Sequence, residues 1–140
     1  MARSPFRVEV LTPEGPVFDG EVEMLSTRTE VGSIGILAHH TPLLGMLAPT
    51  ELKLHVSESE TVRFAQGEGY IQVADNHALV LVEEAIRPED LDTAKLSTEL
   101  EEADAAVEGA EPHSEAMRRS LRDRRRAQAF LEVADASEAS

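Results

Sequence analysis

The chain has 140 residues, enough for one modest core with an appended element, and a formal net charge of −14. This acidic balance disfavours general binding to nucleic acid or to an anionic membrane. The absence of cysteine excludes disulfide scaffolds, thiolate zinc sites and cysteine nucleophiles, and it fits a reducing cytosolic setting. The longest apolar run, residues 78–82, falls far short of the ~20 residues that a membrane-spanning helix needs, and the first residues show no signal peptide.

Short runs of alternating apolar and polar residues dominate the first 85 residues. Residues 6–10 and 52–56 alternate with period two, which is typical of half-buried strands, and residues 64–73 and 79–82 supply further strand-like runs. Glycine, proline, aspartate and asparagine mark the turns between these runs. This spacing predicts an antiparallel β-sandwich or flattened barrel over residues 1–85.

The pattern then changes to a helical period. Pro88 fits the first position of a helix, and an apolar stripe with helical spacing follows it at Leu96, Leu100, Ala103 and Val107. Gly109 and Pro112 end this helix, and Ser114 is placed to cap a second one. The apolar stripe of the second helix comprises Met117, Leu121 and Leu131.

The predicted fold class is therefore α+β. The β-sandwich of residues 1–85 is followed by an α-helical hairpin with a frayed C-terminal tail in residues 86–140. The seam of this hairpin is thin and rich in alanine, so its burial barely offsets the entropy of ordering two helices. We therefore expect the hairpin to change shape or to detach from the sandwich.

Positive charge is concentrated in the second predicted helix. Residues 1–112 hold seven basic and 22 acidic side chains, whereas residues 113–140 hold six and five. The six basic side chains fall in one short window: Arg118, Arg119, Arg122, Arg124, Arg125 and Arg126. Such a cluster on an acidic protein favours an acidic partner surface. The alternative is a solvated helix face on which Arg119 pairs with Asp123.

Motifs of catalysis and cofactor binding are missing from the sequence. Gly32 and Gly35 lack the third glycine of a dinucleotide fingerprint, and we interpret them as backbone positions in a tight turn. His39 and His40 are adjacent, so on extended backbone they point to opposite sides and make a poor metal site. The sequence therefore predicts no catalytic residue, no metal site and no cofactor, and it indicates a binding or structural protein.

Seven segments follow one another in a family-specific order. They are residues 6–14 (FRVEVLTPE), 17–22 (VFDGEV), 32–37 (GSIGIL), 40–44 (HTPLL), 67–73 (GEGYIQV), 78–85 (ALVLVEEA) and 85–92 (AIRPEDLD). In this order they resemble the epsilon subunit of the rotary, proton-translocating ATP synthase, over nearly the whole chain. The block from residue 32 to 44 is the most distinctive. One departure is Ala38-His39, which stands where the family usually has Pro-Gly and predicts a different backbone at that turn.

The resemblance implies a non-catalytic subunit of the central stalk, the rotor of the enzyme. In that family the sandwich binds the gamma subunit and rests on the membrane ring of c subunits. This implies polar ring contacts from the loop between Glu30 and His40, made by Glu30, Ser33 and His40. The helices of the family inhibit ATP hydrolysis through basic residues that face the catalytic beta subunits, a role that falls here on the six arginines.

The resemblance also bears on nucleotide binding and on location. Some members of the family bind ATP on the hairpin through a Leu/Ile-Asp-x-x-Arg-Ala motif, which corresponds here to residues 91–96 (LDTAKL). Lys95 replaces the arginine and lacks its planar fork for phosphate, so the motif implies a weak ATP site at Asp92 and Lys95. The implied location is the cytoplasmic side of the bacterial plasma membrane, as a peripheral subunit with indirect membrane contact.

Two functions are open on the sequence. The first is the rotor subunit that couples proton flow to ATP synthesis and restrains hydrolysis. The second is a free-standing β-sandwich adaptor whose basic helix docks an acidic protein partner. Neither function involves nucleic acid.

Overall fold

The computed structural model describes residues 3–139, with side chains to residue 137. Met1, Ala2 and Ser140 lie outside the described residues, and Ser140 belongs to the predicted C-terminal tail. The described chain divides into two compact units, one on each side of the Arg87–Pro88 bond. The first unit is built of β-strands and the second of helices, which confirms the predicted α+β class.

Ten strands are described in the first unit. They are β1 Phe6–Thr12, β2 Gly15–Val22, β3 Met24–Thr29, β4 Gly32–Ile36, β5 Leu43–Leu47, β6 Thr50–His55, β7 Thr61–Gln66, β8 Gly69–Ala74, β9 His77–Val82 and β10 Ala85–Ile86. Their order in the sheet is β10-β7-β6-β3-β5-β8-β9-β1-β2, with β4 paired to β3. β3 and β5 share only the pair Thr29–Leu47, so the sheet divides there into the two layers of a sandwich.

All strand pairs are antiparallel except β1 with β9. The parallel pair places the first strand of the unit between β9 and β2, so the N-terminal strand is interior to its layer. The alternation of apolar and polar residues in β1 does not show whether its partner strand is parallel, because side chains alternate with period two in parallel and antiparallel pairs alike.

The core of the first unit lies between the two layers. In β1 the side chains of Phe6, Val8 and Val10 are buried, and the charged residues between them are not, which confirms the predicted alternation. The buried apolar residues of this core are Phe6, Val8, Val10, Val22, Leu25, Ile36, Leu47, Leu52, Leu54, Phe64, Ile71, Val73, Ala78, Val80 and Val82. Each large side chain buried in this way contributes about 1.5–3 kcal/mol.

One polar side chain is fully buried in the first unit, and its hydrogen bonds are made. Gln66 has no exposed surface. The hydroxyl of Thr27 donates to its Oε1 at 2.6 Å, and its Nε2 donates to the carbonyl of Ala48 at 2.8 Å. Because an unpaired buried amide is costly, these bonds favour the register in which β6, which pairs with both β3 and β7, brings Thr27 and Gln66 together.

The second unit begins with a short 3₁₀ turn and continues with two helices, α1 Thr93–Gly109 and α2 Glu115–Ala139. Pro88 opens the 3₁₀ turn, Pro88–Asp90, and not α1. The prediction that Pro88 begins the main helix is therefore wrong, because the chain leaves helical geometry before Asp92. The carboxylate of Asp92 caps α1 by accepting from the Lys95 N–H at 3.0 Å. The predicted cap of α2 is confirmed, since the Met117 N–H donates to the Ser114 hydroxyl at 3.0 Å.

The apolar stripe of α1 is confirmed, and that of α2 is not. Leu96 and Ala103 are buried, whereas Leu121 is 40% exposed. The buried residues of α2 are Ser120, Ala127, Phe130, Val133 and Ala134. Burial of Ser120 is tolerated because its hydroxyl donates to the Ala116 carbonyl at 2.8 Å. The predicted stripe is therefore displaced from the buried face of α2, because a serine and not an apolar residue takes one of the inward positions.

Candidate interaction surfaces

An apolar surface covers part of the outer face of one sandwich layer. Met46, Tyr70, Leu81 and Leu11 stand opposite one another on β5, β8, β9 and β1, and we call them the apolar row. Met46 is 57% exposed and Tyr70 53%, and Leu44, two positions along β5 from Met46, is 74% exposed. Clustered large apolar side chains on an outer sheet face are typical of a protein interface.

Charged groups delimit this surface at both ends of the strands. A groove along the apolar row is also lined by three carboxylate residues, Glu30, Glu68 and Glu83. Toward the other end of β1 the outer face becomes ionic. The Arg7 guanidinium lies 3.2 Å from the Asp19 carboxylate, and the hydrogen bond and charge of Asp19 raise the pKa of Arg7. The apolar surface is therefore confined to one end of the layer.

The three predicted ring-contact residues do not lie together. The turn between β3 and β4 is formed by Glu30 and Val31, Ser33 lies within β4, and His40 follows β4 in the next loop. The five residues of β4 span roughly 16 Å, so Glu30 and His40 lie near opposite ends of this strand. The predicted loop between Glu30 and His40 is thus a hairpin turn, an edge strand and a second loop.

The interpretation of Gly32 and Gly35 as a tight turn is corrected by the same geometry. Both glycines belong to β4, opposite Thr29 and Ser26 of β3, and the turn precedes them. Gly32 has φ of 137°, a conformation that favours glycine, where the hairpin re-enters the sheet. The turn exposes Val31 almost completely, at 99%. An apolar tip next to Glu30 was not predicted from the sequence.

The loop that carries the two histidines is held by the turn between β8 and β9. His39 has φ of 63°, in the left-handed region that favours glycine and that other residues adopt less often. Its N–H donates to Asn76 Oδ1 at 2.7 Å. The Asn76 amide also donates to the Pro5 carbonyl at 3.3 Å, so one side chain ties this loop to the start of β1.

The six arginines of α2 separate into two sets. Arg124 and Arg126 face α1, where Arg124 lies 3.7 Å from the Asp104 carboxylate and Arg126 lies 3.0 Å from that of Glu99. The others are exposed to solvent: Arg118, Arg119, Arg122 and Arg125. The predicted pair between Arg119 and Asp123 is not formed in the described part of the chain.

The residues of the ATP motif are placed differently from one another. The Asp92 carboxylate forms the N-cap of α1, and Lys95 projects from the exposed side of the first turn. Leu96 is buried in the hairpin seam. The structure thus gives Asp92 and Leu96 roles in the helix itself, whereas Lys95 is exposed.

The apolar row is the main feature that the sequence analysis missed. Residues 78–82 form an unbroken apolar run in which Ala78, Val80 and Val82 face the core, so Leu79 and Leu81 must face outward. An unbroken apolar run is typical of a strand that is covered by protein on both faces. That rule applied to the run would have pointed to an interface.

The described residues contain neither a metal-site cluster nor a membrane-spanning helix. Residues 3–139 contain no group of three or more acidic or histidine side chains placed to hold a metal ion. Over the same range, neither helix combines the length and the apolar character needed to cross a bilayer.

Comparison with known proteins covers most of the chain. Residues 5–88 match the family "ATP synthase, Delta/Epsilon chain, beta-sandwich domain". The ATP synthase epsilon chain of Persephonella marina is 39% identical over 130 residues, which are 92% of this chain and 96% of the relative. The epsilon chain of Shouchella clausii is 34% identical, over 91% of this chain and 88% of the relative.

Solved structures share the fold. A chain in the cryo-EM structure of the Euglena gracilis mitochondrial ATP synthase superposes with a TM-score of 0.71 at 23% identity, over 99% of this chain and 82% of its own length. A chain in the central stalk and c-ring structure of the Tetrahymena thermophila mitochondrial ATP synthase gives 0.60 at 17% identity, over 96% and 99%. Together with the sequence matches, these results show that the chain belongs to the epsilon-chain family of ATP synthase, whose members are non-catalytic subunits.

Proposed function

We propose that this chain is a rotor subunit in the central stalk of a proton-driven ATP synthase. The sandwich binds the gamma subunit and contacts the c-ring, and the helical unit restrains ATP hydrolysis by binding the catalytic beta subunits. The observation that carries the proposal is the apolar row, a surface that a lone adaptor has no reason to expose. The family match over residues 5–88 also favours this function over the free-standing adaptor.

The apolar row is suited to a lasting contact with the gamma subunit. A rotor part transmits torque only if it does not shear off its neighbour, which favours a broad, largely apolar interface on a rigid sheet. The row provides four apolar side chains on four adjacent strands, with Leu44 beside them. The backbone under them is held by the ladders of β5, β8, β9 and β1, so little entropy is lost on binding.

The gamma contact is tested by a matched pair of leucines. Leu44→Asp places a charge beside the apolar row, whereas Leu37→Asp makes the same change at a 47% exposed leucine outside it. We expect Leu44→Asp to weaken binding to purified gamma subunit by at least about ten-fold, because a charge is desolvated on docking. Leu37→Asp should bind like the parent chain. Equal binding of both variants would show that the row is not the interface.

The c-ring contact is assigned to the end of the sandwich that carries the β3–β4 turn. Glu30 and Val31 form this turn and Ser33 follows them, whereas His40 lies about one strand length away. A ring surface that meets one end of the sandwich reaches Glu30 and Ser33 together but not His40. Glu30→Lys should therefore weaken coupling between ATP turnover and proton pumping, and His40→Ala should not. The reverse result would assign the ring contact to the histidine loop.

Restraint of hydrolysis is assigned to the arginines of α2. Arg118 and Arg122 are exposed, lie one helical turn apart and have no ion pair among the described residues, so a partner's carboxylates can reach both. Arg118→Ala with Arg122→Ala should raise ATP hydrolysis by the assembled complex by about two- to five-fold. The matched Arg→Lys pair keeps the charge and should retain most of the restraint. Equal hydrolysis in parent and alanine variant, at equal subunit content, would refute this role.

The proposal does not extend to ATP binding at Asp92 and Lys95. The carboxylate of Asp92 is bonded to the α1 backbone, so of these two residues only the cationic Lys95 can meet a phosphate. Lys95→Ala should therefore leave the thermal unfolding of the full chain in millimolar ATP unchanged, whereas a loss of ATP-dependent stabilisation would establish the site.

A further inference from the structure

We propose that Glu99 and Asp104 of α1 act as internal counter-ions, which hold Arg126 and Arg124 and compete with an acidic partner for the arginines of α2. The inference rests on the proposed restraint of hydrolysis and describes how that restraint is regulated. Of the six arginines, it concerns three that are open to a partner (Arg118, Arg119 and Arg122) and two that are paired within the hairpin (Arg124 and Arg126).

The pair between Arg126 and Glu99 is the stronger of the two. The guanidinium lies 3.0 Å from Glu99 Oε2, and about two thirds of each side chain is buried. The same guanidinium stacks on the ring of Phe130, with 4.6 Å from its central carbon to the ring centroid. Charge-assisted hydrogen bonding and cation–π contact both gain when water is partly excluded. Arg126 is thus fixed between a carboxylate of α1 and an aromatic ring of α2.

The second pair adds to the first one along the seam. Arg124 lies 3.7 Å from Asp104 Oδ1. Residue number rises along α1 from Glu99 to Asp104 as it falls along α2 from Arg126 to Arg124, as expected for an antiparallel hairpin. Two pairs in this order join the helices at two points and so resist separation as well as sliding.

The apolar seam between these pairs is thin. Across it α1 buries only Leu96 and Ala103, and the buried residues of α2 are Ser120, Ala127, Phe130, Val133 and Ala134, of which only Phe130 is large. Small side chains bury little area, so the ion pairs make up a larger share of what joins the helices than they do in a leucine-rich hairpin.

Competition follows from the chemistry of the arginines. A guanidinium paired with Glu99 cannot offer the same N–H groups to a carboxylate of another protein. Exchange of one carboxylate for another leaves the number of ion pairs unchanged, so the two states lie close in free energy and a small bias decides between them. Arg118, Arg119 and Arg122 need no such exchange, since none has an ion pair among the described residues, and they are suited to first contact.

The first test measures the hairpin alone. Glu99→Gln with Asp104→Asn removes both counter-ions without changing side-chain size, and Glu101→Gln with Glu108→Gln removes two exposed carboxylates from α1 as a control. In the isolated full chain, the counter-ion variant should speed amide hydrogen exchange in α1 by about five-fold over the control. Equal exchange in the two variants would overturn the inference, whatever the fate of the proposed function.

The second test measures competition in the assembled ATP synthase. Releasing Arg124 and Arg126 should strengthen restraint, so Glu99→Gln with Asp104→Asn should lower ATP hydrolysis by about two- to three-fold against the control variant. Faster exchange with unchanged or raised hydrolysis would mean that the pairs only staple the hairpin, and the competition would be refuted. The proposed restraint itself stands or falls on the Arg118 and Arg122 variants, so the two failures are distinguishable.

Discussion

The interiors of the two units of this chain are stabilised by different kinds of contact. The β unit buries aliphatic and aromatic side chains from opposing strands, and most of its core residues have less than 3% of their surface exposed. The helical unit buries one large side chain, Phe130, with a few small and medium ones, and it adds ion pairs at the rim of its seam. A large apolar core stabilises one packed arrangement, whereas the proposed exchange of ion pairs across a thin seam would permit two.

The outer surfaces differ in the same sense. The β unit presents an apolar row on a hydrogen-bonded sheet, which suits a partner that stays bound. The helical unit presents exposed arginines on a single helix, which suits an acidic partner that binds and leaves under the control of charge. The proposed rotor subunit, firmly attached by one unit and restraining hydrolysis with the other, would use both kinds of surface.

Separating the units should produce the largest effect. Residues 1–87 retain β10 and the stacking of Arg87 over Phe64, so they should melt cooperatively within a few degrees of the full chain. Residues 88–140 alone should lose most of their helix, because burial in a thin seam barely offsets the entropy of ordering two helices. Circular dichroism during heating measures both. A cooperative melt of residues 88–140 would remove the contrast between the units.

Leucine-to-alanine changes should distinguish the two cores. Leu52→Ala in β6 should lower the free energy of unfolding of the β unit by about 3–4 kcal/mol, because the rigid sandwich cannot close the cavity. Leu96→Ala in α1 should cost the helical unit only about 1–2 kcal/mol, since its seam can collapse. Urea unfolding followed by hydrogen exchange in each unit separates these values. Equal costs would show that the cores are equally rigid.

The buried amide of Gln66 should matter more than an exposed one. Gln66→Ala leaves the Thr27 hydroxyl and the Ala48 carbonyl without their partner, so we expect a loss of about 2 kcal/mol from the β unit. Gln72→Ala, on the outer face of β8, should change the same free energy by less than about 0.5 kcal/mol. Chemical unfolding of the full chain is the measurement, and similar losses in both variants would contradict the assigned role of Gln66.

Salt should have the smallest effect on the free energy of unfolding, and the sign of this effect should differ between the two units. Raising NaCl to about 1 M screens the part-exposed pairs of Arg124 and Arg126 and should destabilise the helical unit by about 0.5 kcal/mol. The acidic β unit should be unaffected or stabilised, because its own repulsion is screened as well. Exchange rates of both units at low and high salt provide the comparison, and a common shift would argue against a distinct role for ion pairs in the hairpin.

Much of the secondary structure could be predicted from local sequence. The alternation of residues 6–10 and the cap at Ser114 depend on interactions between residues that are close together in the chain. The order of motifs was sufficient for the family. The stripe of α2 was not predictable from its apolar residues, because a polar residue, Ser120, takes an inward position with its hydroxyl bonded to the Ala116 carbonyl.

The interaction surfaces needed the tertiary structure. Sequence by itself determined the α+β class, the family and the six-arginine cluster, since these depend on composition, periodicity and motif order. Only the folded chain decided that Glu30 and His40 lie at opposite ends of β4 and that four strands place the apolar row side by side. It also decided that Arg126 meets Glu99, 27 positions away. Strand order and helix pairing bring together residues far apart in the chain, and no local pattern encodes those distances.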